Sequence, residues 1–501
     1  MIKISLIALM VLMSFTKIFA QETYKILTPS QMQNDLTVLQ SAWLNLHPGL
    51  YRYNTSEQIQ EYFDALKLKC SIPLDERIFY LSLSQLAQKI KCGHTFLNPL
   101  NIDSTTQSRI LPQKTIPFFF EVVSGGKFII TYNLSDNKSI KRGDEILAIN
   151  GISAKTIIDS LLTVSRSDGR NSIGKKLNNI NETPDEANTY SLFDIYFPLF
   201  FPFNKETFKL TTKKPSSKAT NSNIIKSLSF EARILTYEKS FGKIPVAEKT
   251  WEYKLINEQT AYMKFGTFAF WNSNFNEINF VDSVFNDLAK RPAINNLIID
   301  IRNNEGGDNT GDYILSYITS KEIGCDDPDR VCYRYLTIPD SLLSYLSTWD
   351  NSFKKPKDPT KYTLNEIGLY ELKNNGQPCD YIKPKANGFI GNVYLLTNAK
   401  NSSAGYEMAR NFRVAQLGKI VGETTGGSQQ GINGGEFFFL TLPNSKFEID
   451  LPLIYAYHAQ KEDVGIKPDY EVNSTQKDIS KGKDSQLKFV MTLIKNKQIN
   501  R

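Results

Sequence analysis

Ser403 is the residue around which chemistry in this chain is most readily built. A strand, Asn392 to Leu396, gives way through Thr397-Asn398-Ala399-Lys400-Asn401-Ser402 to a helix that opens at Ser403-Ala404-Gly405 and runs to about Phe412. A serine on such a turn is exposed, and the positive end of the helix dipole lies behind it. The Ala404 N–H is then a natural oxyanion donor. Gly306 and Gly307, in a second glycine-bearing loop, let another N–H approach without a side chain in the way. A serine hydroxyl still needs a base, because its own pKa is far above neutrality. The chain offers three histidines, His47, His94 and His458. Ser403 also reads as a plain helix cap and His94 as a satisfied structural histidine.

The elements around these residues follow from punctuation and periodicity. Residues 28 to 91 carry apolar residues at helical intervals from Glu57 to Leu68 and from Phe79 to Ile90, and the segment ends in Cys92-Gly93-His94-Thr95. Phe118 to Val123, a Gly125-Gly126 turn and Phe128 to Tyr132 predict a hairpin. Ala261 to Phe265 reads as a strand, Asn276 to Leu288 as an amphipathic helix, and Asn296 to Ile301 as a strand buried on both faces. That last strand stops in Arg302-Asn303-Asn304-Glu305-Gly306-Gly307-Asp308, before a helix at Tyr313 to Ile318. Both loops lie at the C-terminal ends of strands, where open α/β sheets place their sites.

Composition excludes several classes. The 501 residues are 41% hydrophobic and 22% charged, which suits a folded chain of two to four domains. A net charge of +7, evenly spread, is too mild for a nucleic-acid footprint, and no DNA or RNA partner is expected. Lys3, the apolar run Ile4 to Phe15 and the small residue Ala20 before Gln21 form a secretory signal pattern over residues 1–20. Export to the periplasm or the extracellular space is the expectation. No later stretch approaches about 20 uninterrupted apolar residues, so no stable membrane span is expected after signal cleavage. Cys70, Cys92, Cys325, Cys332 and Cys379 are too few and scattered for a zinc site or a disulfide framework. A single Cys325–Cys332 pair remains open. No metal or organic cofactor is expected.

Two resemblances organise these pieces. Ile140-Lys141-Arg142-Gly143-Asp144-Glu145-Ile146-Leu147-Ala148-Ile149-Asn150-Gly151, followed by a helical Thr156 to Leu162, resembles the core of PDZ-like domains, which implies a sheet edge that can accept a peptide. Asp300 to Gly307, Ser403-Ala404, Ile420-Val421-Gly422-Glu423 and Gly465-Ile466-Lys467-Pro468-Asp469, in that order, resemble the tail-specific or C-terminal processing serine peptidase family. The likeness runs from about residue 30 to 475. Where the Ser-Lys branch of that family carries its lysine, this chain has Ser428, and no lysine occurs from Val421 to Ser445. Gly93-His94-Thr95 and Glu462 are instead similar to the tricorn-core branch, to which the retinoid-binding repeats are related. The resemblance implies Ser403 as nucleophile, His94 as base and then acid, and Glu462 as the group that orients the base, with Asp463 as its local rival. Cys92 and Gly93 depart from the acidic residue and the serine found there in relatives, which leaves a fourth site residue unaccounted for.

The expected molecule is an α/β protein with a crotonase/ClpP-like spiral core, a PDZ-like β-rich domain and an N-terminal helical segment. The segments are 21–105 helical, 106–215 PDZ-like, 216–255 linker or connecting strands, 256–480 peptidase core with an insertion near 325–390, and 481–501 tail. The implied function is serine endopeptidase action on peptide or protein substrates, with Gly306, Gly307 and Ala404 at the oxyanion. The alternatives are a catalytically silent relative that binds peptides or apolar small molecules, and a cell-envelope scaffold that uses only the PDZ-like domain.

Overall fold

The computed structural model describes residues 24–499 apart from 124, 171, 185–190, 204–205, 216, 272, 325–329, 374–380 and 458–460. The expected signal segment, Cys325, Cys379 and His458 lie outside the described residues.

The N-terminal helices are Pro29–Leu46, Ser56–Lys69 and Glu76–Gln88. The first two start in capping boxes: Thr28 and Thr55 accept the N–H groups of Gln31 and Gln58, whose side chains return to the cap N–H groups. Trp43, Phe63, Phe79 and Tyr80 lie fully buried between them and the adjoining sheet.

The central sheet orders its strands Tyr470–Glu471, Lys419–Gly422, Asn392–Thr397, Asn296–Asp300, Thr260–Phe265 and Trp251–Asn257. All pairings are parallel except that of the Trp251–Asn257 edge. Strand alternation sends side chains to opposite faces. Leu297, Ile299, Val393 and Leu395 pack against the helices Glu277–Ala289, Thr310–Ser316 and Ala404–Val414. Ile298, Tyr394 and Leu396 face the other way and meet Val490 and Ile494 of the helix Ser485–Ile499. The segment read as a tail is therefore the cover of one sheet face.

A second sheet runs Phe118–Val123, Lys127–Asn133, Glu145–Ile149, Thr207–Lys213, Thr220–Lys226, with the helix Ala154–Leu162 against it. Thr220–Lys226 falls in the stretch expected as linker or connecting strands, and it pairs along its whole length with Thr207–Lys213. Its polar composition reflects an exposed edge strand, and main-chain pairing overrides it. Behind this sheet, Arg233 is buried between two carboxylates. Its Nη1 donates to Glu182 Oε2 at 3.2 Å and to Asp194 Oδ1 at 3.1 Å, and Nη2 donates to Asp194 Oδ2. Arg233→Ala strands two buried acids, so a loss of about 3–5 kcal/mol is expected in urea unfolding.

The third sheet shows what the insertion does. Arg330–Tyr333, Leu346–Ser347, Tyr362–Leu364 and Tyr370–Leu372 join the long hairpin Asn433–Thr441 and Glu448–Tyr457. Cys332 in this sheet is a buried free thiol among the described residues, and its candidate partner Cys325 lies outside them. The hairpin also receives the segment after His94: Asn98 N–H donates to Glu448 O and Asp450 N–H to Phe96 O, each at 3.0 Å. The N-terminal segment is thereby joined to the sheet through an isolated antiparallel bridge, Leu97 to Ile449.

Candidate active site

Ser403 sits at φ 50°, ψ −134°, and its side chain makes no capping hydrogen bond. The helix-cap reading is thus not the conformation found. A non-glycine residue in that region costs about 1–3 kcal/mol, which the surrounding packing must offset. The packing is visible in the turn opposite. Gly306 has φ 108°, and a Cβ there would lie 2.7 Å from Ser403 Cβ and 2.8 Å from the Ala404 nitrogen. Only glycine lets the two loops close on each other.

The amides of this turn have different fates. Gly306 N–H donates to Asn304 Oδ1 at 2.8 Å, and Asn304 is itself held by its amide on Phe265 O at 3.0 Å. That commitment removes Gly306 as an oxyanion donor, contrary to the expectation that either glycine serves. Among the described residues, the Gly307 and Ala404 N–H groups have no protein acceptor. Asn401 ties the two loops together by donating to Asn304 O at 3.1 Å and to Ile301 O.

His94 is half-buried, its ring edge-on to Phe437 at 5.5 Å, and its Nδ1 is buried with no protein partner among the described residues. Burial lowers its pKa; Asp168 and Glu305 oppose this, while Arg166 and Lys175 reinforce it. The ring is therefore neutral at physiological pH and able to take a proton. The same Lys175 and Glu305 reach the serine turn. Lys175, buried on the helix Ile173–Asn178, pairs with Glu305 and donates to Lys400 O at 3.0 Å and Ser402 Oγ at 3.4 Å. His94 and the Ser402–Ser403 turn thus share one cluster of charges.

Glu462 stands apart from that cluster. It is exposed and bonded to Lys467 at 2.9 Å. Its neighbour Asp463 turns inward and accepts from Tyr53 Oη and Ser428 Oγ, both at 2.9 Å, and from Arg170 N–H at 3.0 Å. Ser428, at the position of the missing lysine, is therefore part of a clasp that joins the core to the N-terminal segment. Arg52 adds to the clasp by donating to Gly431 O at 2.7 Å. Glu407 pairs with Arg410 at 2.9 Å on the helix surface. Asp469 of the Gly-x-x-Pro-Asp motif accepts from Ile420 N–H at 2.8 Å and fixes the edge of the central sheet.

His47 supports the site from behind. Its Nδ1 accepts from Gly49 N–H at 3.1 Å, which puts the proton on Nε2, and Nε2 donates to Thr95 Oγ1 at 2.8 Å. Burial and the nearby Arg334 lower its pKa to about 3, so it stays neutral. Cys92 is no rival nucleophile, because burial pushes its thiol up to about 11.

Two carboxylates lie under the docked segment. Burial pushes Asp450 up to about 7 and raises Glu448, and each keeps one buried oxygen without a partner among the described residues. A carboxyl whose folded pKa is raised stabilises the fold at low pH, and that stability is lost as pH climbs from about 4 through 7. Asp450→Asn should therefore raise the melting temperature at pH 8, by at most about 4 kcal/mol of stability at 1.36 kcal/mol per pH unit, and be near neutral at pH 4.

Comparison with known proteins agrees with this architecture. Residues 259–472 match the family model described as Peptidase family S41. No curated protein sequence matches the chain. Among solved structures, mature CPAF complexed with lactacystin aligns at TM-score 0.63 and 14% identity, over 93% of this chain and 97% of that one. Mature CPAF alone aligns at 0.60 and 14%, over 90% and 94%. The matched segment holds both loops of the serine turn and the closing Asp469 motif. Through this core, residues 259–472, the chain is similar to Peptidase family S41.

Proposed function

We propose that the protein is an exported serine endopeptidase in which Ser403 is the nucleophile, His94 the base and Gly307 N–H with Ala404 N–H the oxyanion donors. The observation that carries the reading is the shared charge cluster: Lys175 and Glu305 act on the His94 ring and also touch the turn that strains Ser403. In the reaction, Ser403 Oγ bonds to the peptide carbonyl carbon while its proton passes to His94 Nε2. The C–N bond then breaks as that proton moves to the leaving amine, and water releases the acyl group by the reverse sequence. The chemistry uses the chain's own residues. The leader-like pattern of residues 1–20 supports export.

Reaction with a fluorophosphonate tests the reading, since the probe bonds only to an activated serine. One adduct, on Ser403, is expected. A chain that never labels and turns over no peptide overturns the enzyme reading and leaves a binding protein built on a peptidase core.

A further inference from the structure

We propose that Asp168, and not Glu462, is the positioning carboxylate of this site: with Arg166 it clamps the Gly93 peptide groups, fixes the turn that aims His94, and supplies the negative charge that the imidazolium requires. The proposal rests on the assignment of His94 as base. Its geometry is independent of that assignment.

Residues 165 to 169 run beside residues 91 to 96. Gly93 N–H donates to Asp168 Oδ1 at 2.8 Å, Arg166 Nη1 donates to Gly93 O at 3.4 Å, and Gly169 N–H donates to Lys91 O at 3.1 Å. The Arg166 guanidinium lies over the Phe96 ring at 4.0 Å. Both polar groups of Gly93 are therefore held by side chains two residues apart, one anionic and one cationic. The turn needs such a hold, because Lys91 stands at φ 58°, in the left-handed region that non-glycine residues resist.

The clamp also accounts for Gly93 itself. A Cβ at that position would lie 2.6 Å from Asp168 Oδ2 and 3.0 Å from its Cγ. The carboxylate fills the space that a serine side chain would need, so the two are alternatives at one place. Asp168 is 4% exposed, whereas Glu462 points to solvent and is occupied by Lys467. The charged groups that act on the His94 ring are Asp168 and Arg166 from the clamp, Lys175 from the helix Ile173–Asn178, and Glu305 from the loop after Asn296–Asp300. Lys175 and Glu305 pair with each other, and Phe437 and Gly434, which also lie beside the ring, are uncharged.

The full mature chain can test this through the pH profile of fluorophosphonate labelling at Ser403. Asp168→Asn keeps an acceptor for Gly93 N–H but removes the charge. Labelling at the plateau should fall about 10- to 100-fold, and the acid limb should move to lower pH by roughly half to one unit, as expected when a nearby anion is lost. Glu462→Gln should leave both within about twofold. A merely structural Asp168 would slow labelling without moving the limb, which overturns the proposal, as does a limb that moves in Glu462→Gln instead. Asp168→Ala should be slower than Asp168→Asn; if it does not fold, Asp168→Asn carries the test, with its melting temperature as the control. Wild-type labelling that persists unchanged in His94→Ala removes the assignment of His94, and this proposal with it. A His94-dependent wild type with an unshifted Asp168→Asn profile removes this proposal alone.

Discussion

Ser403→Ala should lower peptide turnover by about 10⁴- to 10⁶-fold and abolish fluorophosphonate labelling, with the fold unchanged. The size follows from the loss of the covalent route. What remains is stabilisation of the tetrahedral species by the Gly307 and Ala404 amides acting on direct water attack. Stability should change little, within about 1 kcal/mol, because the Ser403 hydroxyl caps nothing and its strained backbone is set by the packing of Gly306 against it. Turnover of an unfolded protein substrate, read beside a thermal melt, checks both halves. Residual activity within about tenfold of wild type would mean that the nucleophile lies elsewhere.

His94→Ala should cost nearly as much, about 10³- to 10⁵-fold, since no neighbouring group can replace the imidazole. Lys175, the cation that reaches the Ser402 hydroxyl, is spent on Glu305 and the Lys400 carbonyl. The Cys92 thiol stays protonated at neutral pH. The wild-type profile carries a matching signature. A base works only when unprotonated, and burial holds His94 below its ordinary value, so activity should persist below pH 6.5 before it falls. A limb above pH 7 in kcat/KM would contradict that environment. His94→Ala should remove the limb along with the rate.

The two loops of the serine turn were legible in the sequence because each is local. An apolar strand, a polar glycine-bearing loop and a helix start lie within about twenty residues of one another, and their periodicities differ. His94 was legible only through its Gly-His-Thr context, since nothing in periodicity joins residue 94 to residue 403. The clamp was not legible: Gly93 and Asp168 are 75 positions apart, and a Ser-Asp-Gly-Arg run in a stretch without clear periodicity looks like any turn. Thr220–Lys226 was hidden for another reason. Its asparagines, serine, threonine and lysine suit an exposed edge strand as well as a linker, and only pairing with Thr207–Lys213 decides between them. The helix Ser485–Ile499 buries Val490 and Ile494 on a narrow stripe, a weak signal in a charged tail. The fate of Gly306 N–H depended on a side-chain acceptor, Asn304, that sequence spacing leaves undetermined.

In the proposed reaction one imidazole deprotonates one hydroxyl across two loops far apart in the chain. A crystal structure of the phosphonylated protein measures this directly. A single adduct on Ser403 is expected, with its phosphoryl oxygen on the Gly307 and Ala404 amides and His94 Nε2 about 2.6–3.2 Å from Ser403 Oγ or the leaving oxygen. An adduct on another residue, or His94 more than about 6 Å away with its ring turned from the phosphorus, would contradict it.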